Sequence, residues 1–338
     1  MSGIVKLKDI AEELGVSVVT VSNALSGKKG VSGAVRQKIL ETAQRMGYDY
    51  SKYAKKESDT AKIGVVVEKG YLTVGASFYW EMYQQVIYAA ARRNSVTMFE
   101  EINENATDAG NLPRILSEGE VDGVFIIGWF SKSYIQKIVK ESKGPVVLLD
   151  FYDREFACDA VLSNNYVGMY KITRYLLEHG HRDIAFVGSV GMNDNIMDRY
   201  FGYRKGLAEW GIPVRKEWVL EDRNIRTGEM RVELPERMPT AFACNNDLTA
   251  GCLYDKLLEK GYRVPEDISV AGYDNYLYGH PFARELTTYN VDMAKMAETA
   301  VDILLKKLKK ENRHQGVRYI DSDIIERNSV KNISRELV

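Results

Sequence analysis

Only three cysteines, Cys158, Cys244 and Cys252, occur in 338 residues. That is too few, too late in the chain, for a disulfide framework, so a small secreted scaffold is excluded. Long apolar runs are missing as well. The longest candidate, Val121 to Phe130, contains Asp122 and falls short of the roughly 18 residues a membrane span needs. The first residues make no export signal, because Asp9, Glu12 and Glu13 interrupt any apolar stretch. A reducing cytoplasm is the expected compartment, with no membrane contact. Catalytic signatures are absent too. There is no Gly-x-x-x-x-Gly-Lys phosphate loop, no His-Glu-x-x-His and no Gly-x-Gly-x-x-Gly, and Gly188-Ser189-Val190-Gly191 misses the Gly-x-Ser-x-Gly elbow. No cofactor and no enzyme class is indicated. His179 and His181 flank Gly180 without a supporting cysteine or carboxylate cluster, so a turn is expected there and not a metal site.

What is present is an ordinary globular composition, 45% apolar and 28% charged, in a chain long enough for two or three cores. The net charge of −1 conceals an asymmetry. Met1 to Lys56 holds ten basic and five acidic residues, about +5, which leaves 36 basic and 42 acidic residues, about −6, for the rest. A basic head on an acidic body suits a polyanionic partner.

Periodicity divides the chain into three parts. Residues 1–50 show helical spacing only. Leu7, Ile10, Ala11 and Leu14 form a first helix stopped by Gly15. Ser17 caps a second carrying Val21, Ala24 and Leu25, and Ser32 caps a third with Val35, Ile39, Ala43 and Met46, closed by Gly47. This is the helix-turn-helix plan. Residues 51–61 are polar, aperiodic and linker-like. Residues 62–338 alternate apolar strands with helices. One series has strands at Ile63 to Val67, Val96 to Ile102, Gly123 to Phe130 and Val146 to Phe151. After a helix from Tyr166 to His179, a second has strands at Ile184 to Val190, Thr240 to Cys244 and Ile268 to Gly272. Strands that are apolar throughout, joined by helices, mean parallel sheets covered on both faces. The expected fold is α/β: a helix-turn-helix head plus two consecutive doubly wound parallel-sheet lobes, like a periplasmic binding protein.

In a helix-turn-helix the second helix enters the major groove. Core spacing takes Val21, Ala24 and Leu25 inward and leaves Val18, Val19, Ser22 and Asn23 outward. Exposed valines suit thymine methyls and Asn23 suits an adenine edge. Lys6, Ser17, Thr20, Lys28, Lys29 and Arg36 are the expected phosphate contacts. A helical bundle used for protein docking is the competing reading of the same pattern.

Leu7-Lys8-Asp9-Ile10-Ala11, Gly15-Val16-Ser17, Thr20-Val21-Ser22, Val31-Ser32 and Gly47-Tyr48 resemble the head of the lactose repressor (LacI/GalR) family. Gly180-His181-Arg182-Asp183-Ile184, Asn246-Asp247, Val264 to Val270 and Leu286-Thr287-Thr288 resemble landmarks of its body, in the same order. The resemblance spans nearly the whole chain. It implies a homodimeric regulator on a pseudo-palindromic operator of double-stranded DNA, with a small-molecule effector, a sugar or sugar derivative, altering DNA affinity. Two features depart from the pattern. Family members commonly carry arginine where Asn23 stands, so the half-site should differ. The linker, Tyr48 to Glu57, places Glu57 where the family uses a leucine wedged into the minor groove. A carboxylate beside phosphates cannot fill that place cheaply. Either Tyr53 with Ala54, or their copies across a dimer, are expected to contact DNA in its stead, or the hinge reads the groove less deeply.

Ligands of open α/β sheets bind outside the carboxyl ends of the strands. The loops there offer Phe78 and Tyr79, Asp150, Asn195 and Arg199, Asn246, and Asp274 as effector contacts; Asp150, Asn195, Arg199, Asn246 and Asp274 also match the family's contacts by position. Asp247, just before Leu248, reads as the cap of the following helix. Arg223 hints at an acidic or phosphorylated ligand. The helix from Met293 to Lys309 reads as ordinary packing on the sheet. A carboxylate pair such as Asp150 and Asp274 also admits acid–base chemistry, and the two lobes alone would suit a periplasmic sugar-binding protein. Across a hinged cleft the carboxylate separation would change on closure, which suits binding better than catalysis, and the basic head and missing export signal argue against the periplasmic protein.

Overall fold

In the head, helices form where the apolar residues recur at helical spacing: α1 (Leu7–Leu14), α2 (Val18–Leu25) and α3 (Gly33–Arg45). Ile10, Ala11, Val21, Ala24, Leu25, Ile39 and Ala43 make their shared core. The turn between α1 and α2 needs a left-handed residue, and Gly15 supplies it at φ +63°. The Ser17 hydroxyl accepts the Thr20 N–H at 3.0 Å, and Ser32 does the same for Val35, so both expected caps are made.

The computed structural model describes residues 5–25, 30–48, 60–72, 77–103, 110–128, 130–224, 228–277, 279–311 and 316–334. The chain divides into two units, Met1–Ala61 and Lys62–Val338. In the second unit the elements run β1 (Lys62–Glu68), α4 (Phe78–Ala91), β2 (Val96–Ile102), α5 (Arg114–Ser117), β3 (Gly123–Ile127), α6 (Lys132–Glu141), β4 (Val146–Leu149) and β5 (Asp159–Ser163). They continue with α7 (Asn165–Glu178), β6 (Ile184–Val187), α8 (Asp194–Glu209), β7 (Val219–Leu220), β8 (Ala241–Cys244), α9 (Asp247–Glu259) and β9 (Ser269–Asp274). Last come β10 (Thr287–Asn290), α10 (Met293–Leu308), β11 (Val317–Ile320) and β12 (Ile324–Ile325).

Two six-stranded sheets result, ordered β11-β5-β4-β3-β1-β2 and β12-β10-β9-β8-β6-β7. Every pairing is parallel except β10 with β12. Central strands such as β3, β4, β6 and β8 are buried at every position, which is why they show no alternation.

The lobes are not consecutive in the chain. After β5 the chain enters the second lobe with α7, which packs on β8, β9 and β10. After β10 it returns, so that α10 lies on β4 and β5 of the first lobe, and β11 pairs with β5 before β12 crosses again. The reading of two series end to end therefore needs correction, and the Met293 helix belongs to the first lobe. Strand neighbours are chosen by which edge is open and which face needs covering, and chain order does not encode that.

Helices α7 and α8 cross closely. A Cβ at Gly202 of α8 would stand 2.1 Å from the Tyr166 carbonyl, so only glycine allows the approach that turns Asn195 and Arg199 toward the cleft.

Candidate functional site

On the head, Val18 and Val19 are exposed, 42% and 66%, while Val21 beside them is fully buried. Neither exposed valine belongs to the head's core. Ser22 and Asn23 are half-buried on the same helix. The Ser17 and Thr20 hydroxyls lie 2.9 Å apart and order the entry to α2. Lys6 is exposed at the start of α1, its own N–H donating to Asp9 at 2.7 Å, and Arg36 is half-buried on α3. Lys28, Lys29, Tyr53, Ala54 and Glu57 lie outside the described residues.

In the body, the strand ends bring six of the seven expected ligand contacts together. Asp150 follows β4 in the left-handed region, φ +67°, and is buried. One of its oxygens accepts the Tyr79 hydroxyl at 3.1 Å, and its carbonyl accepts the Asn195 amide at 2.8 Å, a bond from one lobe to the other. Asn195 in turn accepts from Asn165 at 3.0 Å. Asn165 accepts the Arg199 Nε at 2.8 Å, and the Asn245 carbonyl accepts Arg199 Nη1 at 2.7 Å. The guanidinium lies 3.9 Å from the centre of the Tyr273 ring, stacked on an aromatic face. Its remaining nitrogen sits 3.5 Å from Asp274 Oδ1, near enough to pair in charge and too poorly aligned to form a hydrogen bond. Phe78 of the first lobe meets Tyr276 of the second edge to face, ring centres 6.1 Å apart.

The electrostatics follow from two buried carboxylates sharing one guanidinium. Burial pushes the Asp150 carboxyl up to about 6, against the pull of Arg199 and the Tyr79 hydroxyl. Burial likewise drives Asp274 well above the usual carboxylate range, with Arg199 opposing. Arg199 loses to burial and gains more from Asp274, Tyr273 and Asp150, so it stays charged. Asp150 Oδ1 and Asp274 Oδ1 are both buried without a hydrogen-bond donor. At Asp150 a cavity of about 400 Å³ opens between the lobes, lined by Tyr79, Lys132 and Asp150 on one side and Met192, Asn193 and Asn195 on the other.

Asn246 is the seventh residue, and it does something else. Its side-chain oxygen accepts the Thr249 N–H at 2.8 Å, so it is the cap of α9. That corrects the expectation for Asp247, which is buried and accepts the Tyr276 N–H at 2.8 Å and the Thr288 hydroxyl at 2.6 Å. The cap is one residue earlier because Asp247 is drawn into the space beside Gly272, where there is no Cβ. Arg223 is also accounted for within the fold. Its guanidinium binds Asp222, 2.7 Å away, and Asp222 also accepts Asn245 and Thr249. Burial would raise the Asp222 carboxyl, but Arg223 and these donors hold it well below the usual range. An acidic ligand argued from Arg223 loses its basis. His181 bonds Thr240 and the Lys331 carbonyl, and burial lowers it to about 4, a neutral strut at a turn. Among the described residues there is no group of three or more potential metal ligands and no helix long and apolar enough to cross a membrane.

Sequence reading missed Asn165, Asn245 and Tyr273, the residues that hold Arg199. Asn165 follows β5, a strand too short and too mixed to stand out. Asn245 was overshadowed by its neighbour. Tyr273 sits in a strand where any large apolar residue would look like core.

Against known proteins, the lacI family model for bacterial regulatory proteins matches residues 6–50, and a periplasmic binding protein-like domain matches residues 173–330. The chain is 27% identical over 336 residues to the HTH-type transcriptional repressor PurR of Vibrio parahaemolyticus, covering 97% of this chain and 99% of that protein. It is 28% identical over 337 residues to the PurR repressor of Mannheimia succiniciproducens, with the same coverage. Its fold resembles the lac repressor dimer bound to operator and the anti-inducer ONPF, at TM-score 0.67 and 21% identity over 97% of this chain and 100% of that one. It is equally similar to a transcriptional regulator CelR–cellobiose complex, at TM-score 0.67 and 20% identity over 96% and 99%.

Proposed function

This chain belongs to the lacI family of bacterial regulatory proteins, DNA-binding transcriptional repressors and not enzymes, and from that premise we propose that an uncharged sugar or sugar derivative held between its lobes sets its grip on a pseudo-palindromic operator. The observation that carries the ligand class is the pair of donor-less buried oxygens, Asp150 Oδ1 on one lobe and Asp274 Oδ1 on the other, either side of Arg199. A buried acceptor without a donor costs about 1–3 kcal/mol, and a ligand rich in hydroxyl donors removes that penalty at both places. An anionic ligand would meet two carboxylates with Arg199 already engaged. Phe78, Tyr79 and Tyr276 add apolar faces for ring C–H groups.

The ligand bridges two lobes joined by three crossings, so binding favours one closure over another, and a head tied to that body feels the difference. For the head we propose base contacts from Val18, Val19, Ser22 and Asn23 and phosphate contacts from Lys6, Ser17, Thr20, Lys28, Lys29 and Arg36. Two heads, related by the two-fold of a homodimer, give the surface needed for tight binding. The protein works in the cytoplasm, where its DNA is.

The test is a thermal-shift panel of neutral sugars, sugar phosphates and nucleosides on the intact chain, followed by selection from random duplex DNA with and without the ligand found. A neutral sugar should raise the melting temperature and change operator affinity. Stabilisation by phosphorylated compounds or nucleosides alone would overturn the ligand class. The absence of any preferred duplex would overturn the DNA reading.

A further inference from the structure

The cleft adjoins a second concavity of the body. A groove of about 910 Å³ is lined by Tyr152 and Tyr319 of the first lobe and by Tyr166, Asp198, Phe201 and Arg204 among residues of the second. Three of these rings stand well out in water, Tyr166 at 40%, Phe201 at 44% and Tyr319 at 47%. Isolated exposed apolar residues are common on protein surfaces. Three large rings converging on one concavity from both lobes are not scattered, and such a patch marks a contact surface.

Helix geometry explains why one helix serves two cavities. Asn195 and Arg199, four apart, take one side of α8, while Asp198, Phe201 and Lys205 recur at i, i+3 and i+7 on another. Tyr152 lines both cavities. Met197 lines the cleft and the next residue, Asp198, lines the groove. The groove therefore begins where the cleft ends. From Met197 to Ala208 the helix rises roughly 16 Å, room for more than one further ring.

The lining also constrains the chemistry. Lys205 is already paired with Glu209. Arg204 lies over the Tyr200 and Phe201 rings, 5.7 Å from each centre, and Asp198 offsets its charge. A groove of nearly balanced charge with exposed aromatic faces suits rings that present C–H faces and hydroxyls, and it offers little to a polyanion.

We infer that the cleft ligand is an extended saccharide and not a single ring, with its inner ring in the cleft against Tyr79, Asp150 and Asn195 and its outer rings on Tyr166, Phe201 and Tyr319. This rests on the sugar reading above and adds the length of the ligand and the residues that measure it.

The test titrates the intact chain with saccharides of one to four rings, in α- and β-linked glucose, mannose, galactose and xylose series. In the series that binds, affinity should rise about tenfold or more from one ring to three. Phe201→Ala and Tyr319→Ala should each remove most of that gain, leave single-ring affinity within about twofold, and so report a folded cleft; Phe201→Tyr should restore the gain. A single ring that binds as tightly as its oligomers overturns the inference and leaves the sugar reading standing. So does a length gain that survives both alanine substitutions. If no saccharide of any length binds, the sugar reading falls and this inference falls with it.

Discussion

Replacing Asp150 with asparagine should stabilise the ligand-free protein while weakening its ligand site. The carboxyl, ordinarily at 3.8, is pushed up to about 6 by burial. Holding it ionised at neutral pH therefore costs about 3 kcal/mol relative to the unfolded chain. The folded chain binds this proton more tightly than the unfolded chain does. The cost is thus absent below the unfolded value, grows as pH rises through 6, and is complete above it. Asparagine keeps an oxygen for the Tyr79 hydroxyl, carries no charge, and tolerates the left-handed backbone at this position. Its added N–H faces the place where Oδ1 now lacks a donor, and an unmet N–H gives back about 1–2 kcal/mol. The net gain near pH 7 is about 1–2 kcal/mol, or roughly 2–4 °C in melting temperature for a body of this size.

Melting curves of wild type and Asp150→Asn from pH 5 to pH 8 measure this directly. The gap between them should widen by about 1.4 kcal/mol from pH 5 to pH 7 and stay level above that. A gap that does not change with pH would refute the reasoning, because it would mean that Asp150 carries the same charge folded and unfolded throughout.

Three further outcomes follow from the same structure. Arg199→Met leaves Asp150, Asp274, the Asn165 side chain and the Asn245 carbonyl without their cation, so unfolding studies should show a loss of about 3–5 kcal/mol near pH 7.5, partly recovered toward pH 5.5 as the carboxylates protonate. Gly202→Ala puts a methyl 2.1 Å from the Tyr166 carbonyl, and denaturant titration should report a loss of about 1–3 kcal/mol together with weaker ligand binding, as α8 shifts. Glu57→Leu, at a position outside the described residues, should tighten operator binding in a mobility-shift titration, and unchanged affinity would count against Glu57 opposing the DNA.

The legible parts of this protein are those where local chemistry decides. Gly15, Ser17 and Ser32 mark the helix boundaries of the head because a left-handed turn and a capping hydroxyl are each met by few residue types. Val18 and Val19 stand out because the core spacing through Val21, Ala24 and Leu25 leaves them no inward place. Asp150 and Asp274 could be picked out because strand ends are where polar residues interrupt apolar runs, and Arg199, inside α8, because its position matches a family contact. The short strands β5, β10 and β11 were not legible, since four or five residues of mixed character carry no period. Asn246 caps α9 in place of Asp247 for a reason outside their own segment, the empty space at Gly272 on a neighbouring strand that takes the Asp247 side chain.

The sequence by itself thus determined the kinds of element, the basic DNA-reading head, the two-lobed α/β class and most of the residues that meet in the cleft. Each of these rests on patterns within a turn of helix or a few strand residues. Only the tertiary structure decided that the lobes exchange strands and helices, that Arg199 is held by Asn165, Asn245 and Tyr273, and that the outer face of α8 opens as an aromatic groove. Those facts depend on which distant surfaces exclude water from one another, and burial between segments 50 or 150 residues apart leaves no local trace in the chain.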